Sequence, residues 1–171
     1  MKNIVFALIL LFGFLSVNAQ DSSKKSRKER KAEKKEQKME EIKQLLNDET
    51  FMFTATHALP MGGGSKYLNY DYDVVVKNDT IVSYLPFYGV AYHVEYGTRD
   101  LGFDFTQPLE EYKMEKDDDG YMIDFEVDNG MDHLNYTFHV SEMGNATLHV
   151  SSTHRQSITY YGNIDGIEEV E

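Results

Sequence analysis

From Phe51 to Tyr161 the chain alternates apolar and polar residues with a period of two, in short runs separated by Gly, Pro, Asn and Asp. That period puts successive side chains on opposite faces of a strand. The clearest stretch is Val74 to Gly97, where two β-branched runs meet at Asn78-Asp79. Asn and Asp enter the left-handed conformation a tight turn needs, so the pattern predicts a hairpin leading into a third strand. Before it, Phe51, Phe53, Ala55, His57 and Leu59 share one side of a first strand. Leu68, Tyr70, Tyr72, Val74 and Val76 form the expected buried row of a second, Lys66 to Lys77. Thr80 to Leu85 is the third strand, and Pro86 ends it because proline has no ladder N–H to donate.

Tyr92 to Tyr96, Leu101 to Phe105 and Leu109 to Glu115 read as less regular strands, the last two divided by Gln107-Pro108. The turn Asp117-Asp118-Asp119-Gly120 is followed by an inward row Tyr121, Ile123, Phe125 and Val127. Leu134, Tyr136, Phe138 and Val140 make the next row, and Ala146, Leu148 and Val150 the one after. Ser157 to Tyr161 is the last expected strand, with residues 163–171 an acidic tail. Eight to ten short strands with regular turns indicate an all-β antiparallel meander. Closure into a barrel removes the two exposed edges such a sheet would carry. A two-sheet β-sandwich shows the same periodicity and stays open as the alternative.

The period changes upstream. Ser22 to Asn47 contains no Gly or Pro and is dominated by Lys, Glu, Arg, Gln, Ala and Leu, which favours helix. Met39, Ile42, Leu45 and Leu46 fall on one helical face, so a helix from about Glu33 to Asn47 is expected to dock on the β domain, while Lys24 to Lys38 projects or frays. Oppositely charged pairs three apart and like-charged pairs four apart roughly cancel and do not decide this assignment. Met1 to Ala19 has a Lys2 start, an apolar run from Ile4 to Val17 and small residues before Gln20, the pattern of a secretory signal peptide. The run is shorter than the roughly 20 residues a membrane span requires. The expected organisation is signal peptide 1–19, charged helical lead-in 20–48, antiparallel β domain 49–162 and acidic tail 163–171. Cleavage after Ala19 leaves 152 of the 171 residues, enough for one domain. The protein is expected to be exported, to the periplasm or beyond, and not to be an integral membrane protein.

Composition narrows the chemistry. The chain has no cysteine, so disulfides, thiol nucleophiles and thiolate metal sites are excluded and packing alone must hold the domain. The formal net charge of −12 is unevenly spread: Lys24 to Lys38 carries +6, whereas Thr50 to Glu171 carries −15. The acidic body disfavours nucleic acid and anionic membrane surfaces as partners, and the basic segment 24–38 is suited to an anionic surface or to the chain's own acidic body. Gly62-Gly63-Gly64 follows a strand but precedes another strand rather than a helix, so it reads as a turn and not a phosphate cradle.

Several separated stretches resemble one family. Ala58-Leu59-Pro60-Met61, Tyr70-Asp71-Tyr72-Asp73, Asn78-Asp79-Thr80, Ser83-Tyr84-Leu85-Pro86-Phe87-Tyr88-Gly89 and Arg155-Gln156-Ser157-Ile158 to Gly162 occur in order. Over roughly residues 30 to 162 they resemble the exported Bacteroidetes proteins grouped as domain of unknown function family 4251. The resemblance implies a lipocalin-like barrel of eight strands and an envelope location. It implies no activity and transfers no catalytic residue.

Candidate chemistry is sparse. His139 and His149 lie on the outward side of consecutive strands: directly paired if Val140 faces Leu148, diagonal if it faces Ala146. They are candidate metal ligands, with solvent-facing histidines as the favoured reading and no cofactor expected. His57, on the aromatic row, is expected in the core or lining a barrel interior. The Asp117 to Gly120 turn offers the oxygens a calcium loop uses, but Tyr121 to Val127 reads as a strand where such a loop needs a helix, so an ion-free hairpin is favoured. There is no Gly-x-Ser-x-Gly elbow, and no carboxylate pair is picked out by spacing, so hydrolysis ranks last and a non-enzymatic protein is favoured. The aromatic surplus around the central hairpin is more informative. Tyr84, Phe87, Tyr88, Tyr92 and Tyr96, with His57, are the expected ligand-binding residues of a barrel-like pocket for a small apolar, aromatic or sugar-like molecule. The alternative is a structural or protein-interaction module of the cell envelope.

Overall fold

The computed structural model describes residues 26–92, 102–130 and 132–167. The expected signal peptide, most of the Tyr92 to Tyr96 strand including Tyr96, and residues 168–171 lie outside them. One helix, α1 (Arg27–Asn47), precedes nine strands: β1 (Phe51–Pro60), β2 (Lys66–Lys77), β3 (Thr80–Leu85), β4 (Phe103–Pro108), β5 (Glu110–Asp117), β6 (Gly120–Asp128), β7 (His133–Ser141), β8 (Asn145–Ser152) and β9 (Ile158–Asp165). The compact unit beginning at Lys35 holds the rest of α1 and all the strands. Among the described residues no helix is long and apolar enough to cross a membrane.

The strands form one antiparallel sheet in the order β4-β3-β2-β1-β9-β8-β7-β6-β5, a nearly closed barrel rather than a two-sheet sandwich. Every neighbouring pair is consecutive in sequence except β1 and β9, which close the meander from Met52↔Asp165 to Pro60↔Ile158. Round this sheet β4 and β5 are separated by eight antiparallel steps, so they run in the same direction, with only Leu109 between them. They act as halves of one bent strand, β4 bonding to β3 and β5 to β6. Eight strand positions therefore surround the core. Pro108 cannot donate at the junction, and Leu109 N–H instead donates to the Asp79 carbonyl at 3.0 Å.

The alternation from β6 to β8 matches the expected inward rows throughout, and Asn78-Asp79 forms the β2–β3 turn with positive φ at both residues. Two elements differ from the sequence expectation because the ladder is interrupted. On β1, Ala55 faces Gly162 and His57 faces Tyr161, so Thr56 is an extra residue. The bulge moves the inward positions to Ala58 and Pro60 and turns His57 and Leu59 outward. On β2, Tyr72 faces Ala55 but Tyr67 faces His57, so the intervening residues bow out opposite Thr56, and Tyr70 is 74% exposed rather than buried. The third difference is at the end of the chain. Asn163 to Asp165 belong to β9 rather than to a tail, with Ile164 fully inside. Gly162 permits this close pairing, because a Cβ there would stand 2.0 Å from the Thr54 carbonyl oxygen and 2.8 Å from the Phe53 ring.

Aromatic side chains fill the interior. Phe51, Phe53, Phe103, Phe125, Phe138, Tyr136 and Tyr160 are fully buried. Phe125 stacks on Tyr136 at 5.4 Å, and Phe138 receives Phe53 edge-on at 5.4 Å. Helix α1 closes one end of the barrel with Ile42 and Leu46, and Tyr112 Oη donates to the Leu46 carbonyl at 2.8 Å. Lys38 Nζ adds an ion pair to Asp165 at 2.9 Å. The helix ends sharply, with Glu49 at φ 49° and N–H groups of Glu49 and Thr50 returning to the carbonyls of Leu46 and Leu45. Its start is earlier than the apolar stripe alone predicts. Ser26 Oγ accepts from Glu29 N–H while the Glu29 carboxylate accepts from Ser26 N–H, a reciprocal cap that holds the highly charged first turns.

Replacing Phe125 by Ala should cost roughly 3–5 kcal/mol in urea unfolding, and replacing the half-buried Tyr72 markedly less. Equal losses, or a Phe125→Ala loss below about 1 kcal/mol, would contradict this packing.

Candidate functional site

Two regions outside the aromatic core gather side chains capable of chemistry. The first is the barrel end opposite α1, where β3 leads into Pro86–Tyr92. That segment crosses the β8–β9 connection: Val90 and Gln156 exchange hydrogen bonds, and Tyr92 N–H donates to the His154 carbonyl at 2.7 Å. Beneath it Tyr160 Oη donates to the Pro86 carbonyl at 2.7 Å, and Tyr136 Oη meets Ser83 Oγ at 3.1 Å inside the barrel. Burial pushes both phenols well above their ordinary pKa, so they serve as neutral hydrogen-bonding groups.

The end is organised by Asp132, whose side chain is almost wholly buried. Its carboxylate accepts from Ser152 Oγ, from the backbone N–H groups of Thr153 and His154, and from Arg155 Nε at 3.1 Å. Arg155 then lies over the rings of Phe87 at 5.6 Å and Phe103 at 5.0 Å. Ser152, His154 and Asp132 are thus neighbours, but their geometry is not that of a nucleophile, base and orienting acid. Ser152 Oγ bonds to the carboxylate and accepts from the backbone N–H groups of His154 and Arg155 rather than pairing with an imidazole. The cluster holds a loop. Arg155 was read only as part of a family-like stretch and Asp132 was not singled out, so spacing did not point to their pairing. Arg155 is one of six basic residues in an acidic body, and Asp132 follows an ordinary Asn-Gly turn.

The second region is the outer face of β1, β2, β3 and β9. The β1 bulge aligns Tyr67, His57 and Tyr161 as direct cross-strand neighbours, with Tyr67 and His57 edge to face at 5.3 Å. The β2 bulge presents Tyr70, whose ring meets Tyr72 at 6.1 Å, and Tyr72 meets Tyr84 at 5.2 Å. Tyr67 is 70% exposed and Tyr84 46%. Lys66 Nζ sits 5.3 Å from the centroid of Tyr88, linking this face to the Pro86–Tyr92 segment. Asp73 lies among these rings, and burial, reinforced by Asp71, raises its carboxyl above the ordinary value.

The sequence-predicted residues therefore fall in different places. His57 and Tyr84 lie on the outer face, so His57 does not line the interior. Phe87 lies half-buried under Arg155, and Tyr88 and Tyr92 are exposed at the barrel end. Tyr96 lies outside the described residues. Tyr161 was not among the sequence candidates, because only the bulged register brings it beside His57. Val140 faces Ala146, so His139 and His149 are diagonal, with Thr147 and Thr137 opposite them. His149 Nδ1 meets Thr159 Oγ1 at 3.1 Å, while His139 borders an open groove of about 240 Å³ with Asp117 and Asp119. Among the described residues no three His, Asp or Glu side chains are grouped to hold a metal.

Two outcomes test these assignments. Asp132→Ala removes the buried acceptor of Ser152, of the Thr153 and His154 N–H groups and of Arg155, and should destabilise by roughly 3–5 kcal/mol in chemical unfolding, where a loss under about 1 kcal/mol would contradict the role given to the carboxylate. The raised Asp73 pKa means the folded state keeps a proton the unfolded chain has already lost, so its contribution to stability falls as pH rises through that window. Asp73→Asn should therefore raise the Tm at pH 7 and lose that advantage below the carboxylate range. An equal advantage at both extremes would contradict the assignment.

The stretches Ser83 to Gly89 and Arg155 to Ser157, far apart in the chain, meet at the end opposite α1. A crystal structure of a DUF4251 family protein from Bacteroides eggerthii is similar at 15% identity and a TM-score of 0.58, over 75% of this chain and 87% of that one, a likeness that bears on fold alone. A comparison with curated proteins finds no match. The model of the domain of unknown function DUF4251 matches residues 33–164, from within α1 to the end of β9, and the chain belongs to that family.

Proposed function

We propose that this is an exported, non-enzymatic binding protein of the cell envelope that holds a neutral sugar-like or aromatic ligand on the tyrosines of its outer face. The observation carrying this reading is the division of aromatic residues. Seven named phenyl and phenol rings pack the interior, while Tyr67, Tyr70 and Tyr84 stand exposed around the β2 bulge. Exposed rings of this size, set edge to face with hydroxyls at their rims, offer stacking surfaces and hydrogen bonds together. Asn69, Asp71 and Asp73 supply further polar groups beside them, and the acidic body disfavours an anionic ligand. Tyr88 and Tyr92 extend the surface to the barrel end. A lipocalin-like architecture fits the eight strand positions, but the packed aromatic interior favours a ligand on the face. The exposed Val82 and Met61 support a second reading of the region as a protein-interaction surface.

The chain has no tryptophan, so its fluorescence comes from its twelve tyrosines, those of this face among them. Titration with a panel of neutral oligosaccharides should quench it. Tyr70→Ser and Tyr84→Ser should each weaken binding by about 0.5–1.5 kcal/mol, a few-fold to tenfold. His139→Ala should leave binding unchanged. Binding that survives the combined Tyr70→Ser/Tyr84→Ser substitution, or none by any member of the panel, would count against the sugar-like ligand.

A further inference from the structure

The charges of α1 are sorted by face. Arg27, Lys31, Lys34 and Lys38 follow one another at spacings of four, three and four, which places them in a line along a helix. Glu29, Glu33, Glu36 and Glu40 repeat those spacings two positions later. Two positions are about 200° round a helix, so the carboxylates occupy the opposite side. Lys28, Arg30 and Lys35 flank the basic line. Like charges four apart weaken an isolated helix, and oppositely charged residues at that spacing would strengthen it. Opposite charges three apart offset that loss, and the sorting leaves a helix of two differently charged sides. The reciprocal Ser26–Glu29 cap fixes where the helix starts, and Arg27, Lys31 and Lys34 are exposed.

We propose that Arg27, Lys31 and Lys34 of this line are a docking strip for the headgroup surface of anionic phospholipid. From Arg27 to Lys34 the line spans about 10 Å, a straight row suited to a plane of phosphates rather than to one small anion, while Lys38 is already paired with Asp165. Arg27 to Lys38 contains no large apolar residue, so the strip lies on the headgroups and inserts nothing between them. The body, at −15, is repelled by the same surface, which leaves the helix as the contacting element. A second copy of the chain is a poorer occupant, because two acidic bodies must approach each other. This inference is independent of the tyrosine reading.

The test uses the chain from Gln20 to Glu171, which retains every described element, co-sedimented at low salt with vesicles of phosphatidylglycerol and phosphatidylcholine, or of phosphatidylcholine alone. Binding is expected only to the anionic vesicles and should be lost as salt rises. K31E/K34E should weaken it at least about tenfold, and the charge-matched barrel variant K77E/K113E by no more than about twofold. K31Q/K34Q, with far-UV circular dichroism on every variant, separates loss of charge from loss of helix and should give an intermediate effect. Equal binding to both vesicles, full affinity in K31E/K34E, or the same loss in K77E/K113E would overturn the proposal. So would lipid-free, salt-sensitive self-association that K31E/K34E abolishes, which would make a second copy the partner.

Discussion

The pairing of β1 with β9 is the constraint from which the rest of the structure follows. Every other strand is bonded to a neighbour in sequence, and such local hairpins form without knowledge of the whole chain. Among the described strands, this pair alone joins the two ends of the β domain and turns a meander into a barrel. It depends on a backbone approach that Gly162 permits and that any side chain would obstruct at the Thr54 carbonyl. Once it forms, the interior has a fixed width, with Phe53, Phe138, Phe125 and Tyr136 packed across it. The ends are covered from opposite directions by α1 and by the Pro86–Tyr92 segment.

Closure also explains the aromatic outer face. The extra residue at Thr56 reverses the inward pattern along β1, and the larger bulge on β2 swings Tyr70 out. Without those irregularities His57 and Tyr70 would continue the inward rows. The bulges therefore decide which aromatic residues pack the core and which stand exposed on the outer face. At the capped end the same separation holds. Asp132 and Arg155 neutralise one another beneath the loop and fix its course, while Tyr88 and Tyr92 remain at the surface.

Where the ladder is regular, the fold was legible from residue order alone. The inward rows of β6, β7 and β8 follow directly from alternation, and Asn78-Asp79 marks its turn. The failures share a cause. A bulge inverts every side chain beyond it, and nothing local at Thr56 announces one, since it is defined by the pairing with β2 and β9. Asn163 to Asp165 resembled a tail because a lone Ile164 among polar residues is too short a pattern to read. The helix start at the Ser26–Glu29 cap was missed because the first turns carry no apolar stripe. Of the candidate site, the tyrosine surplus was legible and its location was not. The Asp132–Arg155 cluster joins residues from separate turns, an arrangement no spacing rule contains.

The central claim is that recognition takes place on the outer tyrosine face and not within the barrel. It is tested most directly by NMR of ring-labelled tyrosine during titration with neutral oligosaccharides. The ring signals of Tyr67, Tyr70 and Tyr84 should move together along one saturable curve while those of Tyr136 and Tyr160 stay fixed. Movement of Tyr136 or Tyr160 with the exposed rings unchanged would place the ligand inside and contradict the account.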